Sequence, residues 1–454
     1  MIDSNQETGH EHGHGRNRLA VPAVCERLGA DASLTGRGVT IAFLDSGFVR
    51  HPDLARPEDR IVAYHDVVDP ASTLQAAQPR EWHWHGTQTS VVAAGNGFLS
   101  DGLYRGLASE ARVVLVKVGV EGGIPEENIA KGLEWVLANR ERYGIRVVSI
   151  SLGGDEDAPL VENRVNQLAE ECVRRGLALV VAAGNSGCTD KHRSLPPATA
   201  PSVITVGGYE DGGDPSRAAL ALYCSSYGFT ADGLVKPEII ALARGVAAPI
   251  LPGTEAWHRA EALSQRADVA AEEALRAEKI VATHYQHVDG TSFAAPIVAS
   301  VVAQMLEANP ALTPVAVKHL LVTTARRIGE ASALRQGFGV LDARRAVEAA
   351  RGERHTAEGA HFAPPRVEEG RIAFVYHDDA AQNVAVAGDF NAWNPASTPF
   401  QRGPDGVWRA AMAKPAPGLY RYKLLVDGRW IEDPAHGAKE PDPFGSFNSL
   451  LRVS

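Results

Sequence analysis

From about residue 38 to residue 350, short aliphatic and β-branched runs alternate with longer stretches whose apolar positions recur at helical spacing. VTIAFLD (39–45), ARVVLVKV (111–118), IRVVSISL (145–152), LALVVAAG (177–184) and SVITVGG (202–208) are almost continuously apolar. That is the pattern of strands buried on both faces. ENIAKGLEWVLANRERY (127–143) and VENRVNQLAEECVRRG (161–176) have the amphipathic period of helices. The alternation predicts βαβ units, and hence an α/β domain over 18–350 with a parallel β-sheet flanked by helices on both faces. The polar, Pro-containing segment 351–368 predicts a linker. Beyond it, RIAFVYH, NVAVAGDF, VWRAAMA, LYRYKLLV and SLLRVS are short strands set between Pro, Gly, Asn and Asp turns. They predict a small all-β, immunoglobulin-like sandwich over 369–454.

Composition adds exclusions. The 454 residues exceed one ordinary domain, and 44% hydrophobic with 22% charged residues suits a large buried core. A net charge of −10 argues against nucleic acid or anionic membrane as partners. No stretch reads as the roughly 18 apolar residues of a spanning helix. Residues 1–17 predict a disordered tail without the basic start and apolar run of a secretory signal. His10, His12 and His14 within it are candidate metal ligands, although nothing nearby would fix their geometry. Cys25, Cys172, Cys188 and Cys224 lack CxxC or CxxH spacing and are expected as buried free thiols in a reducing, cytoplasmic compartment.

Three segments carry candidate chemistry. In LDSGF, Asp45 closes an apolar strand. In HGTQTSVVAAG, His85 opens a helix. In GTSFAAPIVASVVAQML, Ser292 begins an apolar helix of small residues. Singly these are a turn residue, a weak match and an N-cap. Together, and in the order Asp, His, Ser, they make residues 18–350 resemble the subtilisin-like serine peptidases, the subtilases. The resemblance implies a triad of Asp45, His85 and Ser292, in which a histidine with an ordinary pKa of about 6.5 takes the serine proton at neutral pH. It also implies that Asn185 of VVAAGNSG donates to the oxyanion. By the same carry-over, Ser151, Leu152, Gly153 and Gly154 line the first specificity pocket. Gly119, Gly122 and Gly123 belong to the strand opposite, between which a peptide would add as a β-strand.

The chain departs from the family pattern in places. Relatives have HGTHVAG where this chain has HGTQTSV. Trp82 and Trp84 flank the histidines, and His83 is a decoy lacking the following GT. Roughly thirty extra residues precede DGTS, and strong helix formers over about 254–280 predict a helical insertion, either a lid or a passive surface helix. Asp53 of HPDL matches a calcium ligand of many relatives, and GNGFLSDG (95–102) could supply others. No other cofactor is expected. About 37 residues precede the first strand, too few for the long propeptide of secreted relatives, which favours an intracellular enzyme.

VAVAGDFNAWNP, GLYRYKLLVDGRWIEDP and FGSFNSLLRV resemble the glycogen-binding domain of the AMP-activated kinase β subunit and the family-48 carbohydrate-binding modules. This implies that Trp393 and Trp430 stack on glucose rings while Lys423 and Asn448 bond sugar hydroxyls. Trp408, within a strand, is expected in the sandwich core. The expected function is thus an intracellular serine endopeptidase acting on proteins or peptides and tethered to glycogen or a related α-glucan. The alternatives are a catalytically quiet scaffold, and a β domain that binds a protein partner.

Overall fold

Seven strands lie parallel in one sheet, in the spatial order Ile239–Leu242, Ile204–Glu210, Ala178–Ala182, Ile145–Ile150, Thr40–Asp45, Arg112–Lys117 and Ile61–Asp66. An eighth, Ala221–Leu222, runs antiparallel beside Ile204–Glu210. This computed structural model describes residues 21–453, apart from 75–79, 81, 214–219, 267, 330, 354–364, 369, 379, 405, 437–438 and 443–445. The histidines of the N-terminal tail and most of the expected linker lie outside the described residues.

The apolar runs follow from burial on both faces. Along Thr40–Asp45, Ile41 and Phe43 join the core on one side, while Ala42 and Leu44 join the core on the other. The first side is covered by helices His83–Ala94 and Thr291–Ala308, the second by Glu126–Tyr143 and Arg164–Arg174. Thr291–Ala308 is 18 residues long with mean hydropathy 1.3, so by length and composition it could cross a membrane. Ser300, Gln304 and Glu307 interrupt it, so the sequence carries no unbroken run of roughly 18 apolar residues there. This helix is apolar all round because it is packed on every side in the core.

Thr40–Asp45 is where the strand order reverses. Its neighbours Arg112–Lys117 and Ile145–Ile150 carry the chain off to opposite sides. In open parallel sheets a crevice forms at such a point, beyond the carboxyl ends of the strands. Asp45 ends the central strand there, Gly119 follows one neighbour and Ser151 the other.

The insertion is two helices, Glu255–Ser264 and Val269–Ala277, capped by Thr254 and Asp268. They share a small core of Ile250, Ala260, Leu263, Ala271, Leu275 and Ile280, and Trp257 stacks on His284 at 4.0 Å. The chain then forms strands Ile280–Ala282 and Tyr285–Val288, the latter paired with Val246–Pro249.

Beyond the linker, two antiparallel sheets face each other. One contains Arg371–His377 and Val407–Ala413, and the other Val384–Gly388, Gly418–Val426 and Phe447–Val453. Ile372, Phe374, Val386, Tyr422, Leu424 and Leu451 fill the space between, with Trp408 among them. This unit packs directly on the larger domain. Leu450 meets Val235, Arg452 lies 5.3 Å over Phe229, and Arg327 lies 4.7 Å over Phe447.

Burial pushes His51 and His436 down to about 3 and His319 down to about 4, from an ordinary value of 6.5. The unfolded chain takes up these protons below pH 6.5 while the folded chain refuses them, so stability present above pH 6.5 is lost as pH falls. At pH 5.5 each group costs about 1.4 kcal/mol, or about 4 kcal/mol for the three. Denaturant unfolding at pH 7.5 and 5.5 is expected to show a net loss smaller than that sum, because Asp433, raised by burial to about 6, and the raised His85 take up protons in the folded chain over the same range, and equal stability at the two values would refute it.

Candidate active site

Asp45 and His85 meet because two local structures end at one place. The carboxylate leaves the last residue of its strand, and His85 sits in the first turn of His83–Ala94. His85 Nδ1 lies 2.7 Å from Asp45 Oδ1, which also accepts the Ser46 N–H at 2.7 Å. Burial alone would lower the His85 pKa. The charge and hydrogen bond of Asp45 outweigh it, and the net shift is upward. Ser292 is the second residue of Thr291–Ala308, where the first turn leaves N–H groups without helical partners. Its hydroxyl donates to the Ser151 carbonyl at 3.4 Å, and no hydrogen bond joins it to His85 Nε2. Phe293, next along, lies 6.0 Å from the imidazole ring.

Asn185 follows the strand Ala178–Ala182 and the Ala183–Gly184 turn. Its Oδ1 accepts the Thr291 N–H at 2.9 Å and lies 3.2 Å from the Thr291 hydroxyl. With the oxygen committed, the amide NH₂ is left to donate beside Ser292. The loop after it is stapled. Cys188 and Cys224 form a disulfide with Cα atoms 5.4 Å apart, and Gly187 N–H donates to the Cys224 carbonyl at 3.0 Å. The expectation of four free thiols is corrected to two, Cys25 and Cys172. The partners are 36 residues apart, and only the packing of two loops reveals their proximity.

The expected substrate walls flank this group. Ser151, Leu152, Gly153 and Gly154 run on from the strand Ile145–Ile150, and the Ser151 hydroxyl donates to the Ser292 carbonyl at 2.8 Å. Gly154 N–H is already bonded to the Pro196 carbonyl at 2.7 Å, and Gly153 is the exposed residue among the four. Opposite, Gly119 to Gly123 form a tight turn rather than a continued strand. Val120 and Gly123 exchange backbone bonds, and Gly122 has φ 88°. At Gly119 a Cβ would fall 2.4 Å from the Ser46 carbonyl, which requires glycine. Trp84 is 46% exposed and edge-on to His85 at 5.2 Å, while Trp82 packs against Arg80 and His83.

Asp53 is fully buried. Its Oδ1 accepts the Leu99 N–H at 3.1 Å and its Oδ2 the Tyr285 hydroxyl at 2.7 Å. Burial raises its pKa, against the pull of those two bonds. A calcium site needs several oxygens free to point at the ion. Here both carboxylate oxygens face protein donors, and no cluster of three His, Cys, Asp or Glu among the described residues could hold a metal. These side chains do not fit calcium. Tyr285→Phe is expected to cost about 1–3 kcal/mol in denaturant unfolding, because it leaves a buried carboxylate oxygen unpaired. A loss below a few tenths would refute that role.

In the second domain, Trp393 and Trp430 stand side by side, ring centroids 6.3 Å apart and tilted by 57°, with Trp430 45% exposed. Lys423 shares their face of the sheet but is 6% exposed and bonded to Asp442. Asn448, 8% exposed, is next but one to Leu450, which packs against the larger domain. The structure thus joins the tryptophans into an open platform and leaves the two polar residues covered.

Residues 36–339 match the model of the subtilase family, and residues 359–444 that of carbohydrate-binding module 48, described as an isoamylase N-terminal domain. Serine protease AprX of Bacillus subtilis is 35% identical over 302 residues, or 64% of this chain, which spans 61% of that relative's length. Subtilisin Savinase of Lederbergia lenta is 26% identical over 333 residues, covering 72% of this chain and 96% of its own. Among solved structures, fervidolysin of Fervidobacterium pennivorans, a keratinolytic enzyme related to subtilisin, shares the fold with a TM-score of 0.55 at 20% identity, over 96% of this chain and 59% of its own. The first model covers the residues that build the parallel sheet and carry Asp45, His85, Asn185 and Ser292, and the chain belongs to the subtilase family.

Proposed function

We propose that this protein is a serine endopeptidase that cleaves through an acyl-enzyme on Ser292 and is brought to α-glucan by its second domain. The observation that carries the peptidase reading is the 2.7 Å bond from His85 Nδ1 to Asp45, set beside a serine in the first turn of a helix. Asp45 fixes the imidazole with its proton on Nδ1, so Nε2 is the free base. Ser292 turns from the Ser151 carbonyl, gives its proton to Nε2 and attacks the scissile carbonyl. The Asn185 amide and the N–H groups of the first turn then meet the oxyanion. His85 returns the proton to the leaving amine, and water repeats the sequence to release the acid. No step needs a cofactor. Fluorophosphonate labelling of the full-length protein tests the reading, and it should disappear in Ser292→Ala. A folded wild type that stays unlabelled would count for the quiet scaffold.

Glycogen or a related α-glucan is proposed as the tether on the strength of the Trp393–Trp430 platform and the module match. Tethering would concentrate the enzyme on proteins already bound to the polymer. The burial of Lys423 and Asn448 favours a second reading, in which the platform docks a protein. Trp430→Ala should lower co-sedimentation with amylopectin at least tenfold, on the scale of the ~1.5–3 kcal/mol of a buried aromatic. Wild-type protein that stays in the supernatant would favour the docking reading. Cytoplasmic residence stays part of the proposal, but the Cys188–Cys224 bridge removes the argument for it from free thiols.

A further inference from the structure

Thr89 lies one turn beyond His85 on the same helix and is buried. Its hydroxyl is 3.0 Å from Asp45 Oδ2 and 3.1 Å from the Gly86 carbonyl. One hydroxyl proton serves one acceptor at a time. The Gly86 carbonyl already accepts the Ser90 hydroxyl at 2.8 Å, whereas no other donor among the described residues reaches Asp45 Oδ2. A carboxylate is also the stronger acceptor in a dry site, so the proton goes to Asp45.

The bonds to Asp45 then divide between its oxygens. Oδ1 carries His85 Nδ1 and the Ser46 N–H, with the Ser46 hydroxyl at 3.3 Å better placed to donate to the Trp82 carbonyl at 2.7 Å. Oδ2 carries Thr89. A carboxylate held on one oxygen pivots about its Cβ–Cγ bond, and a donor on the second oxygen stops the pivot. Close packing brings Thr89 within reach. A Cβ on Gly86 would lie 2.8 Å from Asp45 Cβ and 2.3 Å from the Gly47 carbonyl, so the helix sits hard against the strand end. In the HGTHVAG pattern of relatives the same place holds valine, which has no proton to give.

We propose that Thr89 is a positioning residue of the triad, its hydroxyl fixing the Asp45 carboxylate and, through it, the orientation and proton affinity of His85. This rests on the peptidase reading for its kinetic consequence and on geometry alone for its structural one. Full-length Thr89→Val keeps the shape of the side chain and removes the donor. The expected result is a fall in kcat/KM of about tenfold with KM little changed, well short of the ~10⁴ that follows loss of the triad carboxylate itself. The acid limb of the kcat/KM profile should move up by about half a unit, because one donor fewer leaves more carboxylate charge acting on the imidazolium. Thr89→Ser should restore both.

A second readout does not depend on turnover. In the Ser292→Ala background, the low-field proton resonance of His85 Nδ1–H should shift in Thr89→Val and return in Thr89→Ser. That result from an inactive wild type would sink the peptidase reading and keep this one. A folded Thr89→Val with wild-type acid limb and resonance would overturn the proposal, as would a Thr89→Ser indistinguishable from Thr89→Val. Should Thr89→Val not fold, Thr89→Ala serves the same comparison.

Discussion

Alanine in place of His85 is expected to lower kcat by about 10⁶-fold, with folding and Ser292 left in place. The scale is the one measured for subtilisin, a member of this family, and is carried over from it. The physical reason is particular to this site. The Ser292 hydroxyl rests against the Ser151 carbonyl at 3.4 Å, an acceptor that cannot take its proton. The one other titratable side chain in the first turns of the two helices at the cleft, His83, has its Nδ1 taken by the Arg80 N–H at 3.3 Å. Without the imidazole the serine must attack as a neutral hydroxyl. Asp45→Asn should cost less, about 10⁴-fold, because a base remains but in the wrong tautomer. In the wild type the raised His85 pKa places the acid limb of kcat/KM above 6.5. The base must be neutral to act, and a raised pKa keeps it protonated to higher pH. Hydrolysis of a chromogenic peptide by full-length protein, followed from pH 5 to 9, reads all three effects. A His85→Ala variant within a hundredfold of wild type would refute the assignment of the base.

The parts of this arrangement that could be read in the sequence are those set by local pattern. Strand Thr40–Asp45 announces itself because burial on both faces leaves no polar position between Ile41 and Leu44. The insertion was legible because its residues are strong helix formers, and the structure divides them into two helices that start after Thr254 and Asp268. What could not be read depends on contacts between distant segments. Tyr285 and Asp53 are 232 residues apart, and nothing in HPDL shows that a tyrosine hydroxyl will occupy its carboxylate. Cys188 and Cys224 needed two loops to be folded together. Gly119 to Gly123 looked like a strand, but a glycine with φ 88° turns the chain back within two residues. Lys423 was a sugar ligand by position only, and the fold pairs it with Asp442 instead. Thr89 had only its spacing as a signal, a hydroxyl one turn after the histidine in a helix where Thr87 and Ser90 carry hydroxyls too. Its meaning required knowing that Asp45 lies beside that turn.

Asn185→Leu is expected to lower kcat by 10²–10³ with little change in KM, the range known for the oxyanion asparagine of subtilisin itself and borrowed from there. Leucine keeps the branching of asparagine at Cγ, with two methyl groups in place of the amide oxygen and nitrogen, and has no donor. The substrate carbonyl in the ground state is neutral and gains little from a donor, whereas the tetrahedral oxyanion gains much, so the loss falls on kcat. A second consequence comes from the bonds seen here. Asn185 Oδ1 holds the Thr291 N–H and lies near the Thr291 hydroxyl, one residue before the nucleophile. Removing the amide therefore frees a helix-terminal N–H as well as a donor. Asn185→Asp separates the two roles, because it keeps the acceptor for Thr291 and replaces the donor with a negative charge facing the oxyanion. It should be at least as slow as Asn185→Leu while melting closer to the wild type. If Asn185→Asp retained wild-type turnover, the oxyanion would have to be held by backbone N–H groups alone, and Asn185 would be a residue that anchors the start of the Thr291–Ala308 helix.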